Sequence, residues 1–383
     1  LILSRWLGPQ QYGRFGLALV IGTYACYLSQ WGIDPLLTRR LVRDAEHARR
    51  HLTAFLLQKI FSSAILLSCG AALAWLWHVP AERILLFLGL CDGLLLAFTV
   101  PSAFDAKGKI GAYTWFAAVR QAAYVAALMA AWKFMPGESS VLAAMLAHLA
   151  GIALQMVLEW TWVRRVHGAP VWENATAEAL QLWREALPMA VAFASLQGVN
   201  WVGPLLVEWA GNPHELGLLV ASNQLSLAAA SFLSIPARSV HARLAALSPA
   251  ERQFGRHVAR LMVIFVGAGV LIAAALSLLS SWLMPLVFGA KFAGAAPIFA
   301  VDVWRMAGML DSAVLGSALI CRERTFAYAA CNVLALLIAI VVGVVFVPQQ
   351  GAVAAAAAVV IGRVSFAVFA AAVLIIDLRR NNS

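Results

Sequence analysis

The sequence predicts an all-α integral membrane protein in which two six-helix lobes surround a central cavity. Three observations carry this prediction: the composition, the number of long apolar segments, and the alternation of charge between them. Of the 383 residues 62% are hydrophobic and only 12% are charged, whereas soluble domains are about 45–50% apolar and about 25% charged. A water-soluble fold is therefore excluded.

Eleven apolar segments, separated by short polar breaks, are long enough to cross a bilayer, since a spanning helix needs roughly 20 residues. Inside hydrocarbon every backbone polar group must be hydrogen-bonded within its own segment, and no alternating pattern typical of a membrane barrel occurs. The segments are therefore predicted to be helices. They cover 15–37, 54–77, 84–104, 111–133, 141–163, 186–208, 216–237, 259–284, 294–319, 326–347 and 352–377.

Lysine and arginine are distributed unequally between alternate breaks. One set of breaks contains nineteen of them and the other set contains five. Because positive charge accumulates on the cytoplasmic side, the first set, which includes Arg39, Arg40 and Arg379, is predicted to be cytoplasmic, as is the C-terminus. The opening Leu1-Ile2-Leu3 reads as the tail of a hydrophobic helix, so we expect eleven helices here of twelve.

A weak internal repeat divides the chain into two similarly oriented halves. Pro9-x-x-x-Gly13 and Pro213-x-x-x-Gly217 lie 204 positions apart, and each precedes a helix that ends near a basic cluster. Six helices separate equivalent positions, so the repeat is parallel, as in transporters whose two bundles move around a site between them. The predicted lobes are residues 1–170 (helices 2–6) and 171–383 (helices 7–12).

Several kinds of chemistry find no support in the sequence. The nucleotide-binding pattern GxxxxGK[ST] and the hydrolase patterns HExxH and GxSxG are missing, and the five cysteines have no CxxC spacing. The net charge of +10 is scattered between apolar runs and forms no basic stripe of the kind that binds nucleic acid. No enzyme activity, metal, cofactor or nucleic-acid partner is therefore predicted.

Three arginines lie well inside predicted spans, where charge is costly and by default functional. Arg305 has Asp302 one turn earlier, and Arg120 matches Asp92 in depth, so each pair is either a structural ion pair or part of a substrate cavity. Arg363 has no carboxylate three or four residues away. Its guanidinium is therefore a candidate for attracting a phosphate or an acidic sugar.

Uncharged polar side chains cluster in three of the predicted helices, where they either join helices or line a hydrophilic cavity. We take them as candidate cavity residues: Tyr27, Gln30, Gln197, Asn200, Asn223 and Gln224. The carboxylates Asp92, Asp302 and Asp311 are candidates for ion coupling. Asp34 and Glu159 are expected to be solvated near cytoplasmic helix ends, and Lys59 to reach the interface by snorkelling.

Four short motifs resemble those of polysaccharide-exporter (Wzx-like) flippases of the multidrug/oligosaccharidyl-lipid/polysaccharide (MOP) superfamily. That family typically reads L-x-R-x-L-G-P-x-x-Y-G around its first outer loop. The resembling residues are Leu3-Ser4-Arg5-Trp6-Leu7-Gly8-Pro9-Gln10-Gln11-Tyr12-Gly13, then Gly32-Ile33-Asp34, Phe288-Gly289-Ala290-Lys291-Phe292 and Gly351-Ala352-Val353-Ala354.

The resemblance implies a multi-pass protein of the bacterial inner membrane that moves undecaprenyl-pyrophosphate-linked oligosaccharide from the cytoplasmic to the outer leaflet by alternating access. Its implied partners are the lipid-linked glycan, the bilayer, and a polysaccharide polymerase and glycosyltransferases of O-antigen or exopolysaccharide biosynthesis. Two alternatives remain. One is a cation-coupled drug or metabolite antiporter of the same superfamily. The other is a membrane glycosyltransferase or polymerase, which would need a long loop with clustered acids or histidines.

Overall fold

A computed structural model of the chain describes residues 2–44, 46–76, 80–134, 139–245 and 252–380. All regular secondary structure in these ranges is helical, in agreement with the predicted fold class. The helices are α1 (Ile2–Gln30), α2 (Asp34–Arg43), α3 (Ala48–Leu76), α4 (Pro80–Ala97), α5 (Pro101–Ala106), α6 (Ile110–Phe134), α7 (Ser139–His167), α8 (Ala175–Trp209), α9 (Pro213–Ala245), α10 (Arg252–Leu278), α11 (Ser280–Phe288), α12 (Ala296–Asp302), α13 (Arg305–Cys321) and α14 (Thr325–Arg380), with a 3₁₀ turn at Ala290–Ala295.

The predicted apolar segments fall mostly on helical chain, and residue 77, which ends the predicted segment 54–77, lies outside the described residues. By length and composition alone, six helical stretches of the described residues qualify as membrane spans: Ala48–Ala72, Arg83–Ala106, Ser140–His167, Ala175–Trp209, Phe254–Leu278 and Thr325–Arg379. The exposed surface of these stretches is apolar. On α10, for example, Val263, Leu271 and Leu278 are exposed by 75%, 73% and 85%. Such a surface requires a lipid environment, and the chain is a multi-pass membrane protein.

Several predicted boundaries were wrong. Breaks at Thr99, Leu279 and Val303 interrupt the predicted spans 84–104, 259–284 and 294–319, and α9 extends to Ala245, into the predicted loop 238–258. The first predicted span, 15–37, ends at Gln30, because Trp31 and Gly32 take positive φ angles of 52° and 63° and break the helix before α2 begins. The predicted loop 164–185 is mostly helical, since α7 runs to His167 and α8 begins at Ala175. Both helices extend beyond their apolar portions, which hydropathy alone does not detect.

The 56-residue α14 is a helical hairpin, not one rod. Its dihedral angles leave the helical region at Gly351 (φ 59°), three residues after Pro348. Asp377, near the end of α14, accepts hydrogen bonds from Arg322 and Arg324, which lie just before the start of α14. The two halves are therefore antiparallel, and they correspond to the predicted spans 326–347 and 352–377.

The chain forms two compact units by its contacts. Unit 1 contains Leu1–Gly13 and Ser195–Ser383, and unit 2 contains Arg14–Ala194. The boundaries fall inside α1 and α8, so that each of these helices contributes to both units. The predicted lobes, 1–170 and 171–383, describe a membrane repeat and remain a prediction.

In unit 2, small residues let α1 and α4 cross in backbone contact. A Cβ at Gly93 would lie 1.7 Å from the carbonyl oxygen of Gly22, and one at Gly89 would lie 2.3 Å from that of Ala18. Both pairs are spaced by four residues, the small-xxx-small arrangement that brings membrane helices together. Larger side chains at these positions would separate the two helices.

In unit 1, both copies of the Pro-x-x-x-Gly repeat meet. A Cβ at Gly13 would lie 2.7 Å from the backbone nitrogen of Gly217, and a Cβ at Gly217 would lie 1.8 Å from the carbonyl oxygen of Pro9. Gly8, at φ 70°, turns the chain immediately before Pro9. The repeat detected in the sequence is thus a site of close backbone packing between α1 and α9.

Two further resemblance motifs join this contact. The ring of Tyr12 lies 6.2 Å from that of Phe288 and 5.7 Å from that of Phe292. The carboxylate of Glu215 accepts a hydrogen bond of 2.7 Å from the backbone N–H of Ala352, the first residue after the Gly351 kink. We call this convergence the motif junction, defined by Pro9, Tyr12, Gly13, Glu215, Gly217, Phe288, Phe292, Gly351 and Ala352.

Candidate functional site

Arg363 lies in the second half of α14, and its side chain is 3% exposed. Gly308 of α13 makes room for its stem, since a Cβ at Gly308 would lie 2.5 Å from the Cβ of Arg363. The guanidinium donates to the amide oxygen of Asn200 and, over 3.4 Å, to the hydroxyl of Ser312. Asn200 in turn donates to Gln197 over 3.1 Å. Three predicted site residues are therefore joined: Gln197, Asn200 and Arg363.

Neutral oxygens, not a direct carboxylate partner, hold this guanidinium. Asp311 lies within electrostatic range, and Ser312 connects it to the network by donating to its Oδ1 over 3.2 Å. Among the described residues no acceptor meets Nε of Arg363. The buried arginine therefore keeps one donor without an acceptor, and its direct contacts are to uncharged oxygens.

Arg305 and Asp302 form an ion pair of 2.7 Å, with both side chains completely buried. The pair bridges the break between α12 and α13, and Asp302 also lies beside the hydroxyls of Ser222 and Ser226 on α9. The predicted ion pair is present. Its charges compensate each other, which makes Arg305 a weaker candidate for a substrate contact than Arg363.

The side chain of Asn223 is also buried on α9, and neither of its amide atoms has a hydrogen-bond partner in the part of the chain that is described. Gln224, the next residue, is partly exposed. A buried amide without partners costs about 1–3 kcal/mol unless water or a ligand meets it. Asn223 therefore requires a partner beyond those that the described residues provide.

The ion pair between Arg120 and Asp92, one of the two alternatives left open by the sequence, is not formed. Asp92 is buried and contacts the imidazole of His148 on α7 over 2.7 Å. The ring of Tyr124 packs edge-on against that imidazole at 5.1 Å. Arg120 is partly exposed on α6, and the carboxylate within its electrostatic range is Glu159.

The solvation expected for Lys59 and Glu159 was also wrong, because both side chains are completely buried. Glu159 accepts hydrogen bonds from the backbone N–H of Val100 (2.8 Å) and from Gln155 (2.5 Å), and so satisfies the break between α4 and α5. The Lys59 ammonium lies 4.7 Å from the centroid of the Phe55 ring. The carboxylate of Asp34 lies within electrostatic range of the Lys59 ammonium.

The remaining predicted residues lie on α1 in unit 2. Tyr27 and Gln30 are both partly buried. Between them in sequence, the hydroxyl of Ser29 lies 3.0 Å from that of Ser63, and the Ser29 carbonyl accepts from Gln58 over 3.1 Å. Sequence reasoning did not identify Gln58 and His148 as partners, because a lone polar residue on an apolar helix shows no periodic signal.

The family described as "Polysaccharide biosynthesis protein" matches residues 1–241. No protein with a curated description is detectably similar in sequence.

Several solved structures share the fold. A multidrug resistance MATE family transporter of the MOP superfamily, in an inward-facing conformation, is 14% identical with a TM-score of 0.77, over 100% of this chain and 93% of that one. The lipid II flippase MurJ, in an inward closed conformation, is 12% identical with a TM-score of 0.67, over 99% and 86%. The Vibrio cholerae MATE transporter VcmN is 12% identical with a TM-score of 0.65, over 99% and 92%.

Proposed function

The chain belongs to the polysaccharide biosynthesis protein family, and from this premise we propose that it is a flippase for polyprenyl-pyrophosphate-linked oligosaccharide. In this proposal the glycan moves from the cytoplasmic to the outer leaflet of the bacterial inner membrane by alternating access, and no covalent reaction occurs on the protein. The C-terminus is cytoplasmic. The polymerase and glycosyltransferases of the same biosynthesis are the proposed partners.

The observation that carries the proposal is the buried, incompletely paired guanidinium of Arg363. A sugar pyrophosphate cannot cross hydrocarbon without exchanging its hydration for other polar contacts. A guanidinium held by the neutral side chains of Asn200 and Ser312 retains its charge for an anion, and its planar fork suits phosphate oxygens. When the site opens to water, this arginine is the group to which a pyrophosphate would be drawn.

Uncharged amides complete the proposed site. Gln197 and Asn223 offer donors and acceptors that suit sugar hydroxyls, and the buried Asn223 amide has unused hydrogen-bonding capacity among the described residues. Arg305 and Asp302 support the site by fixing the α12–α13 break. Arg120, Tyr27, Gln30 and Gln224 remain candidates for additional contacts along the path, and Asp92, Asp302 and Asp311 for ion coupling.

The test is glycan export in a strain that depends on this chain. We expect Arg363→Ala to reduce transfer of lipid-linked glycan about ten- to hundredfold, because a hydrogen bond to a charged group contributes about 1.5–3 kcal/mol. Arg363→Lys should restore part of the activity. Arg256→Ala, which removes a charge from the exposed side of α10, is the matched control.

Wild-type transfer by a normally expressed Arg363→Ala variant would remove the main support for the proposal. The antiporter alternative predicts a different result. In that case, deleting the chain would leave glycan export intact and make cells sensitive to a cationic compound.

A further inference from the structure

A basic pocket of about 490 Å³ lies between α2, the start of α3 and the start of α8, entirely within unit 2. The residues that matter for its charge are Arg39, Arg40, Arg43, Asp44, His51 and Glu185. Its volume is within the range of about 300–1,000 Å³ of small-molecule sites. All three arginines belong to the break that the charge distribution predicts to be cytoplasmic.

A buried carboxylate fixes the wall of this basic pocket. Glu178 of α8 is 6% exposed, and it contacts Arg40 over 3.5 Å, Arg50 over 2.8 Å and the imidazole of His51. One acid of α8 thus holds the neighbouring helices α2 and α3. The pocket is preorganised, because its framework needs no ligand to hold it together.

The two acids in the basic pocket already have partners. Glu185 accepts from Arg40 over 2.7 Å and from Gln181 over 2.8 Å. Asp44 contacts His47 over 2.8 Å and His51 over 3.2 Å. The hydrogen bond with His47 lowers the pKa of Asp44 and raises the pKa of His47, so that this exposed pair favours its charged form.

Arg39 and Arg43 are the uncommitted groups. They are four residues apart on α2 and therefore lie on one face of it. Both are exposed, and in the described ranges neither makes a direct ion pair with a carboxylate, while Glu185 lies within electrostatic range of Arg39. The opposite face of α2 is fixed, since Leu37 and Leu41 are buried by 96% or more. A short amphipathic helix thus presents two guanidiniums at a cavity, and guanidinium groups suit the binding of phosphate oxygens.

We propose that the basic pocket binds the phosphate or pyrophosphate group of a polyprenyl-linked substrate before transport, an inference that rests on the proposed flippase function. Arg39 and Arg43 bind the phosphate oxygens directly, and Arg40 is positioned beside them by Glu178 and Glu185. A bilayer phospholipid headgroup has the same phosphate chemistry, and the experiment must distinguish these two sources.

The experiment uses the purified full chain in nanodiscs of phosphatidylcholine, titrated with farnesyl pyrophosphate. We expect the double variant Arg39→Gln/Arg43→Gln to weaken binding about tenfold or more, because charged bidentate contacts to phosphate are lost. The matched control is Lys107→Gln/Lys109→Gln, which removes two exposed charges from another predicted cytoplasmic turn. Arg39→Lys/Arg43→Lys keeps the charge without the fork, and should fall between the wild type and the double Gln variant.

Equal binding by the wild type and the Arg39/Arg43 variant would overturn the site, and so would an equal loss in the control variant. Inorganic pyrophosphate should compete with farnesyl pyrophosphate, whereas farnesol should not. If adding phosphatidylglycerol to the nanodisc abolishes farnesyl pyrophosphate binding, the pocket is occupied by bulk lipid and the substrate assignment is wrong.

Glycan transfer, measured separately, distinguishes this inference from the flippase proposal. Transfer by a wild-type chain that does not bind farnesyl pyrophosphate would overturn the pocket alone. Binding that depends on Arg39 and Arg43 in a chain that transfers no glycan would overturn the flippase proposal and leave a phosphate site.

Discussion

Replacing Gly217 by alanine should destabilise unit 1 more than any ordinary glycine-to-alanine change in a helix. The new Cβ would lie 1.8 Å from the carbonyl oxygen of Pro9 and 2.5 Å from its carbonyl carbon. Close carbon-to-oxygen contacts in proteins are about 3.3–3.6 Å. The backbones of α1 and α9 must therefore separate by about 1.5 Å.

This separation is costly because backbone cannot rotate away as a side chain does. It would also draw Tyr12 away from Phe288 and Phe292, whose packing holds the same segment of α1. Overpacking a well-packed interior typically costs about 1–3 kcal/mol. We expect Gly217→Ala to lie at or above the upper end of that range.

The matched control is Gly267→Ala in α10, where a Cβ would meet nothing within 4 Å. There alanine is expected to be neutral or stabilising, since glycine is about 1 kcal/mol less favourable than alanine inside a helix. Both variants are purified in detergent, heated, and assayed for the folded fraction by size-exclusion chromatography. If Gly217→Ala survives heating as well as Gly267→Ala, the close packing of the two motif copies is wrong.

Two further predictions test the pairing and the topology. In double-mutant cycles of stability, Asp92→Ala should couple to His148→Ala by about 0.5–3 kcal/mol, because the two residues share a contact of 2.7 Å. Asp92→Ala should not couple to Arg120→Ala. Equal coupling to both partners would contradict the contact. In a cysteine-free chain, a single cysteine replacing Lys109 should react with an impermeant thiol reagent from the cytoplasmic side, and one replacing Lys291 should react from the outside. Labelling of position 109 from the outside would reverse the predicted orientation.

The spans were predictable from sequence because the length of an apolar run is a local property. The helix breaks were harder to predict, since they depend on single residues such as Trp31 and Gly32 and on the acid Glu159, which satisfies Val100 from another helix. Hydropathy also cannot locate helix ends that continue into water. For this reason α8 begins at Ala175, well before its predicted span at 186.

Side-chain partners were predictable only where the helix itself fixes them. Arg305 and Asp302 are three residues apart, and they pair even though a turn interrupts the helix between them. Asp92 and Arg120 matched in depth, but depth does not define the direction in which a side chain points around the helix axis. The burial of Lys59 was not predicted for the same reason, because the direction of its side chain around the helix axis was unknown. This side chain lies against Phe55 within unit 2.

The residues that carry the family resemblance have a packing role that the sequence did not reveal. Gly13 and Gly217 allow the backbones of α1 and α9 to meet, and Phe288 packs on Tyr12. Glu215 accepts a hydrogen bond from Ala352, at the start of the second half of α14. These contacts define a fold, and a fold shared with proteins described both as multidrug transporters and as a lipid II flippase does not select a cargo.

The choice of cargo must therefore depend on residues outside the motif junction. Arg363 belongs to none of the resemblance motifs, and it combines burial with an unused donor among the described residues. A site for a neutral or cationic compound gains little from a buried guanidinium that only neutral oxygens contact directly, since its desolvation is costly even with Asp311 within electrostatic range. An anionic cargo offsets that cost only when it is bound. The surroundings of Arg363, rather than the fold, thus favour the proposed pyrophosphate-linked glycan over a cationic drug.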